Sequence, residues 1–461
     1  MIARLNAAIG AAISFYVIAN NNKKKNRNEN FNPSRNGRRQ LGRYPGHEKL
    51  VMASVVIRHG SRTPVATTPN CEQANWDSSI LLQTLPHADC PHKVVSLDGG
   101  PQPPLNFDLA YNKDKVLKGG CPGGQLTILG QEQMVQLGKR LRERYIDQFN
   151  LLEPSFQADS IYIRTSNILR SINSAKCFMV GLYSELTERS KANTKLKNSK
   201  AIKAITSVAD DPIILHTTES KNEFLYPNVG SCPLMKKFYR AVHKHNEFES
   251  AGRRIFHDVL QIDDMKSLYE NKLLAKNHID ILDDLESRRA HGMALPDVLI
   301  DHYSQIKEIG YKALCSLFSE NVLLKVSSGR FMDDILKRMD AVVNNQRIMD
   351  LPIMLITCFR NSPTRLCLYS AHDTSLIVLS AAVTGKLPNA WPPFASFLVF
   401  ELYRTFSGKH YVKVKFENQD LVINNCGGST ECPYNRFREI VSELALESKE
   451  FEELCSIQDG N

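Results

Sequence analysis

Although rich in asparagine, the 461-residue chain has no usable N-x-[ST] sequon; the one match, Asn32-Pro33-Ser34, is excluded by its proline. A secreted or lysosomal chain of this composition ordinarily carries several. The sequence also has no His-Glu-x-x-His, and none of its paired aspartates suggests a metal site. It has no internal repeat, which excludes solenoids and propellers. The net charge of +9 suggests a nucleic-acid binder, but the excess is local. Residues 1–47 hold nine basic residues against the single acid Glu29, so they carry +8, and residues 48–461 carry +1. A body this close to neutral has no field with which to hold a polyanion, and no nucleic-acid partner is expected.

What is present is ordinary for a soluble globular protein: 42% hydrophobic and 23% charged residues. Residues 1–46 read as a targeting or anchor segment and polar linker. Leu5 to Ala19 is apolar apart from Asn6 and Ser14, short for a bilayer span, and a basic, acid-poor stretch follows it. A mitochondrial leader fits that composition; secretory entry or an uncleaved membrane anchor through residues 5–19 are the alternatives, and an unaddressed tail is the bland one. Eleven cysteines is many for a reducing compartment, and an odd count leaves at least one unpaired within the chain. Cys426 and Cys432 bracket a short Gly-Gly-Ser-Thr loop and could bridge. The other cysteines read as small buried apolar side chains.

Three apolar runs punctuate the body. Leu50 to Ile57 is β-branched with little alternation, as in a strand buried on both faces of a parallel sheet. It ends at Arg58-His59-Gly60. Ser160 to Ile163 ends at Arg164-Thr165-Ser166-Asn167, and Arg365 to Tyr369 ends at Ser370-Ala371-His372-Asp373. Helices are expected after Thr127, with Met134, Leu137, Leu141 and Tyr145 on one face, and over Ile168–Leu182 and Ser375–Val383. Residues 65–125 read as loop, 186–206 as a surface insertion, and Phe397–Tyr403 and Tyr411–Phe416 as late strands. Roughly 233–345 reads as amphipathic helices, such as Met265–Leu274 and Met293–Leu317, inserted as a cap into a domain spanning 47–461. Ligands of doubly wound α/β sheets bind where strands end, so the three strand-end clusters are the expected site.

Their chemistry is that of phosphoryl transfer. Arg58 and Arg62 offer forked guanidinium groups for phosphate oxygens, and the imidazole of His59 between them can take a phosphoryl group covalently. Gly60 lets the backbone come close. Arg164 can supply a third guanidinium, His372 a further hydrogen bond to phosphate, and Asp373 a proton for the leaving alkoxide. Positioning and charge do most of the work in such a reaction, so no metal or cofactor is required.

Arg58-His59-Gly60-Ser61-Arg62-Thr63-Pro64 with the distal His372-Asp373 resembles the histidine acid phosphatase family. That resemblance implies a phosphoglycerate-mutase-like α/β core sheet flanked by helices, with an inserted helical cap. It further implies His59 as nucleophile, Asp373 as proton donor, and Arg58, Arg62, Arg164 and His372 as phosphate ligands. Gly99-Gly100-Pro101, Leu117-Lys118-Gly119-Gly120, Gly124-Gln125-Leu126-Thr127, Ile163-Arg164-Thr165-Ser166-Asn167, Leu225-Tyr226-Pro227-Asn228 and Trp391-Pro392-Pro393-Phe394-Ala395 are most similar to its lysophosphatidic acid phosphatase subgroup. The implied substrate is a lysophospholipid; an inositol phosphate or phosphosugar is the alternative within the family, and a catalytically inactive phosphate-binding, membrane-tethered protein the alternative of another class. A protonated Asp373 beside a neutral His59 predicts an acidic optimum. We expect a monomer. Ser166-Asn167 departs from the Thr-Asp of many secreted members, and Phe397 stands where they tend to carry cysteine. Cys426–Cys432 and Cys232–Cys455 are the pairings that remain. Arg170 rivals Arg164 and reads as structural. His257-Asp258 and Asp301-His302 fall in the cap and read as solvated or structural, and Trp76 as a packed aromatic.

Overall fold

The computed structural model describes residues 48–82, 85, 88–114, 116–187, 212–243, 254–262, 278–346 and 364–456. Among these, nine strands form one sheet: β1 Glu48–Arg58, β2 His92–Ser96, β3 Ile161–Thr165, β4 Ile213–Thr217, β5 Leu366–Ala371, β6 Phe397–Thr405, β7 His410–Phe416, β8 Gln419–Asp420 and β9 Glu431–Pro433. The order is β2-β4-β3-β5-β1-β6-β7-β8, with β9 also on β7. From β2 to β1 the neighbours run parallel; β6 turns antiparallel against β1 and begins a meander. The chain is thus a mixed α/β protein with a central sheet flanked by helices.

Both faces of the sheet are covered, which explains the unbroken apolar runs. Along β1, Leu50, Ala53, Val55 and Ile57 enter the cluster formed with the helices Ile128–Arg142 and Leu169–Leu182. Met52 and Val56 point the other way, toward the helices Asn321–Val343, Asp373–Thr384 and Tyr434–Ser442. β5 alternates likewise, Leu366 and Leu368 against Cys367, Tyr369 and Ala371. Each large side chain buried this way contributes roughly 1.5–3 kcal/mol. The helix after Thr127 forms as expected: the Thr127 hydroxyl accepts from Gly130 N, and Met134, Leu137, Leu141 and Tyr145 are buried.

Three expectations need revision, and one strand was not read. Residues 65–125 are not all loop; they contain β2 and the helix Asn106–Asp114. β2 is a partly exposed edge strand whose partner β4, over Ile213–Thr217, was likewise not read from the sequence. Met293–Leu317 is not one helix: Pro296 opens a single turn, Asp297–Ile300, and a new helix covers Tyr303–Ser316. The described residues of the block 233–345 are mainly helical, but the last helix, Asn321–Val343, belongs to the sheet layer through Phe331, Met332, Ile335, Leu336 and Met339. Both cysteine pairings are present, Cys426–Cys432 and Cys232–Cys455, the second tying the start of the helix Pro233–His243 to the helix Ser448–Ser456. Cys90, Cys121, Cys177, Cys315 and Cys367 are buried thiols. The expectations for residues 1–47, 188–206 and Met265–Leu274 lie outside the described residues.

Candidate active site

Sheet register brings the strand ends together. Arg58 pairs with Ala371, and Thr165 with Ser370, so β1, β3 and β5 finish level and their next residues share one edge. His59 N donates to Ala371 O at 3.2 Å, and the His59 and His372 rings meet edge to face with centroids 5.5 Å apart. Residues 58 and 372, far apart in sequence, are thereby neighbours.

Backbone contacts orient His59. Its Nδ1 lies 2.9 Å from Gly60 O, and because a carbonyl can only accept, Nδ1 carries the proton and Nε2 keeps its lone pair. Its own carbonyl accepts from Ala395 N at 3.1 Å. Gly60 is required for a reason other than ligand approach: a Cβ there would fall 2.3 Å from Gly130 O in the first turn of the helix Ile128–Arg142. Burial, followed by the positive charges of Arg170, Arg62 and Arg58, holds His59 well below the ordinary imidazole range. It is therefore neutral in mild acid.

Arginines surround the pair. Arg58 Nη2 sits 2.9 Å from Asp373 Oδ2, Nη1 donates to Pro392 O at 2.5 Å, and the guanidinium lies 4.1 Å from the Phe394 ring centre. Arg62 donates to Asp283 from the helix His278–Ala290, at 3.2 and 2.6 Å. The structure places Arg164 differently from the reading of it as a phosphate ligand. It is fully buried, ion-paired to Glu223 at 2.7 Å, and bonded to Thr165 O. Glu223 also accepts from Phe224 N and Leu225 N, and this turn presents the Tyr226 ring to His372 at 5.1 Å. Arg164 thus braces the wall of the site. Arg170, read from sequence as structural, is the foremost charge acting on both histidines, after burial. It is itself buried, with Nη1 3.4 Å from Gly124 O.

His372 and Asp373 begin the helix Asp373–Thr384. His372 N donates to Ser375 Oγ at 3.1 Å, and its Nε2 lies 3.0 Å from Ser166 Oγ. Burial and then Arg170 lower its pKa against the opposing pull of Asp373. Burial pushes the Asp373 carboxyl up, but Arg58, the Trp391 indole N–H at 2.8 Å, His372 and Arg62 outweigh it and leave it below the usual carboxylate range.

Several contributors had entered the sequence reading only as matching letters. Trp391 holds Asp373, Pro392 holds Arg58, Phe394 lies beside Arg58 and 5.8 Å from His59, and Ser166 and Tyr226 hold His372. Asp283 was missed entirely, since one aspartate in an amphipathic helix carries no signal of what it faces. Trp76 is buried and packs on His291, and His257 pairs with Asp258 at the surface, both as the bland readings have it. Among the described residues, no group of three or more His, Cys, Asp or Glu could hold a metal ion.

A strand-end histidine pair ringed by arginines, with a carboxyl beside it, brings together the groups that phosphoryl transfer uses. A profile of the histidine phosphatase superfamily (branch 2) matches residues 49–417. The chain is similar to the lysophosphatidic acid phosphatase type 6 of Homo sapiens, at 28% identity over 88% of this chain and 86% of that protein. It is also similar to the lysosomal acid phosphatase of Xenopus laevis, at 25% identity over 78% of this chain and 77% of that protein. In fold it resembles the Hafnia alvei phytase in complex with tartrate, with a TM-score of 0.55 at 15% identity, covering 90% of this chain and all of that one. The chain belongs to the histidine phosphatase superfamily, branch 2, and is an acid phosphatase acting on small phosphate monoesters.

Proposed function

We propose that the protein hydrolyses lysophosphatidic acid to monoacylglycerol and phosphate through a phosphoenzyme on His59. The observation that supports the chemistry most directly is the His59–His372 pair, 5.5 Å apart, set among Arg58, Arg62 and Arg170 beside Asp373. Phosphate oxygens are held by these three arginines and His372. The lone pair on His59 Nε2 attacks phosphorus as the P–O ester bond breaks, and Asp373 gives its proton to the departing alkoxide. Water then attacks the phosphohistidine, losing a proton to the Asp373 carboxylate, and phosphate leaves.

A proton donor should be protonated at the outset, whereas Asp373 is held ionised by Arg58 and Trp391. A bound phosphate resolves this, because it draws Arg58 to itself and leaves Asp373 buried beside an anion. Both changes raise the carboxyl pKa. Asp373 therefore takes up its proton as the substrate binds, and an acidic optimum follows.

The lipid assignment is supported by the human and other type 6 relatives over most of their length. We propose that the domain spans 47–461 and that the helices His278–Ala290 and Tyr303–Ser316, within the inserted block 233–345, roof an acyl channel. We further propose that the protein is a monomer needing neither metal nor cofactor. Two disulfides favour an oxidising compartment, which supports the secretory alternative over mitochondrial import. No helix of the described residues is long and apolar enough to cross a membrane, and residues 5–19 are left as the possible attachment point.

The test follows phosphate release at about pH 5, with EDTA present, from lysophosphatidic acid, inositol hexakisphosphate and an aryl phosphate, with His59→Ala alongside. The expected result is preference for the lysophospholipid and a loss of several orders of magnitude in the variant. Equal turnover of all three would remove the lipid assignment. Activity that survives in His59→Ala would remove the mechanism.

A further inference from the structure

We infer that Asp283 is a specificity-determining residue: its carboxylate, seated on Arg62, admits esters that carry one phosphate and turns away those with a second anionic group close by. This rests on the proposed role of Arg62 in holding phosphate. The geometry is that of a built contact. Asp283 engages Arg62 through both oxygens, at 3.2 and 2.6 Å, and also accepts from Val65 N at 2.8 Å. The two side chains are 14% and 8% exposed, so salt screens them little. Two neighbouring acids of the helix His278–Ala290 bond to other side chains, although Glu286 also acts on Arg58 through its charge. Asp284 is taken by Arg288 and Thr68, and Glu286 by Tyr303, Arg289 and Lys307. Asp283 is the carboxylate of this helix that bonds directly to Arg62 in the strand-end loop.

Its charge acts on substrates unequally. Three arginines against Asp373 and Asp283 leave a modest positive excess, enough for one phosphate. A second phosphate on the same alcohol would extend past Arg62 toward the helix and meet Asp283 at short range, where like charges repel strongly in a desolvated site. A merely structural Asp283, tying helix to loop, would treat all substrates alike.

Steady-state kinetics on the full-length enzyme separate the two roles. Aryl phosphate and inositol hexakisphosphate serve as substrates, and inositol hexasulfate as a competitive inhibitor, for wild type, Asp283→Asn and Asp283→Glu. Asparagine keeps the shape and can still accept from Val65 N, but it loses the charge; glutamate keeps the charge. The expected result is a rise of about tenfold or more in the hexakisphosphate-to-aryl ratio of kcat/KM, and tighter hexasulfate inhibition, in Asp283→Asn alone. An equal change on both substrates, or unaltered hexasulfate inhibition, overturns the inference. Should Asp283→Asn fail to fold, wild type alone decides: a hexose monophosphate should exceed the matching bisphosphate by about tenfold in kcat/KM, and parity refutes the idea. Failure of the phosphatase reading itself would look different, with wild type no better than His59→Ala on the aryl phosphate.

Discussion

Arg164 and Arg170 follow one another along the passage from β3 into the next helix, yet Glu223 neutralises the first while the second acts on both histidines. Replacing Arg170 with Gln should lower kcat/KM by about 10²–10³-fold, the cost of losing one charged donor at a transition state. It should also move the acid limb of kcat/KM upward, because a positive charge that depresses His59 is gone. Arg164→Gln should leave that limb in place and chiefly lower the melting temperature; pH–rate profiles of the two variants decide. Asp373→Asn should cost about 10²–10⁴-fold on an alkyl phosphate and much less on an aryl phosphate, whose leaving group needs no proton. Equal losses on the two esters would remove Asp373 as the donor. At this scale the sequence was informative where residues are contiguous, as in Arg58-His59-Gly60-Ser61-Arg62 and His372-Asp373. It was silent where a role depends on which way a side chain leaves its element. Both arginines follow a strand-like run; their partners Glu223 and Gly124 come from elsewhere in the chain, and that decided between them.

Elements were legible where their apolar residues run long and unbroken. β1, β5 and the helix Ile128–Arg142 have apolar residues wherever they meet the core, and their periods show it. β2 is the edge strand, where His92 and Lys93 dilute the pattern, and in β4, buried between β2 and β3, His216 interrupts a short run. The limit of the inserted block was misjudged because Asn321–Val343 is as amphipathic as its neighbours, and only packing shows that its apolar face lies on the sheet. Cys232–Cys455 joins the start of one helix to the end of another, within a small apolar cluster that also holds Met235 and Phe451. Opening it with Cys232→Ser and Cys455→Ser together should cost about 2–4 kcal/mol in urea unfolding. Activity of the folded enzyme should persist, since neither cysteine touches the site.

Across the whole molecule, stability and working pH pull in opposite directions. His59 and His372 are folded with pKa values lowered by burial and by Arg170, so their contribution to stability is complete above the unfolded value near 6.5. As pH falls below that, the unfolded chain takes up protons that the folded one refuses, and stability declines by up to about 1.4 kcal/mol per pH unit for each histidine. Urea midpoints measured from pH 7 to 4.5 should fall, and His59→Asn should flatten the slope. The order of strands has a consequence for how the molecule is made. β5 lies between β1 and β3, yet it follows β1 by about 300 residues. At translation rates of 5–20 residues per second, β1 waits roughly 15–60 s for its central neighbour. Throughout that interval His59 has been synthesised and His372 has not, so the nascent chain carries the nucleophile without the proton donor. Until β5 arrives, β1 and β3 expose unpaired apolar edges, the kind of surface that chaperones bind. β5, the last of the parallel strands to be made, is also the one that brings His372 and Asp373 to the catalytic edge; Trp391 and Pro392, which hold Asp373 and Arg58, follow it closely, and β6 then closes the other side of β1.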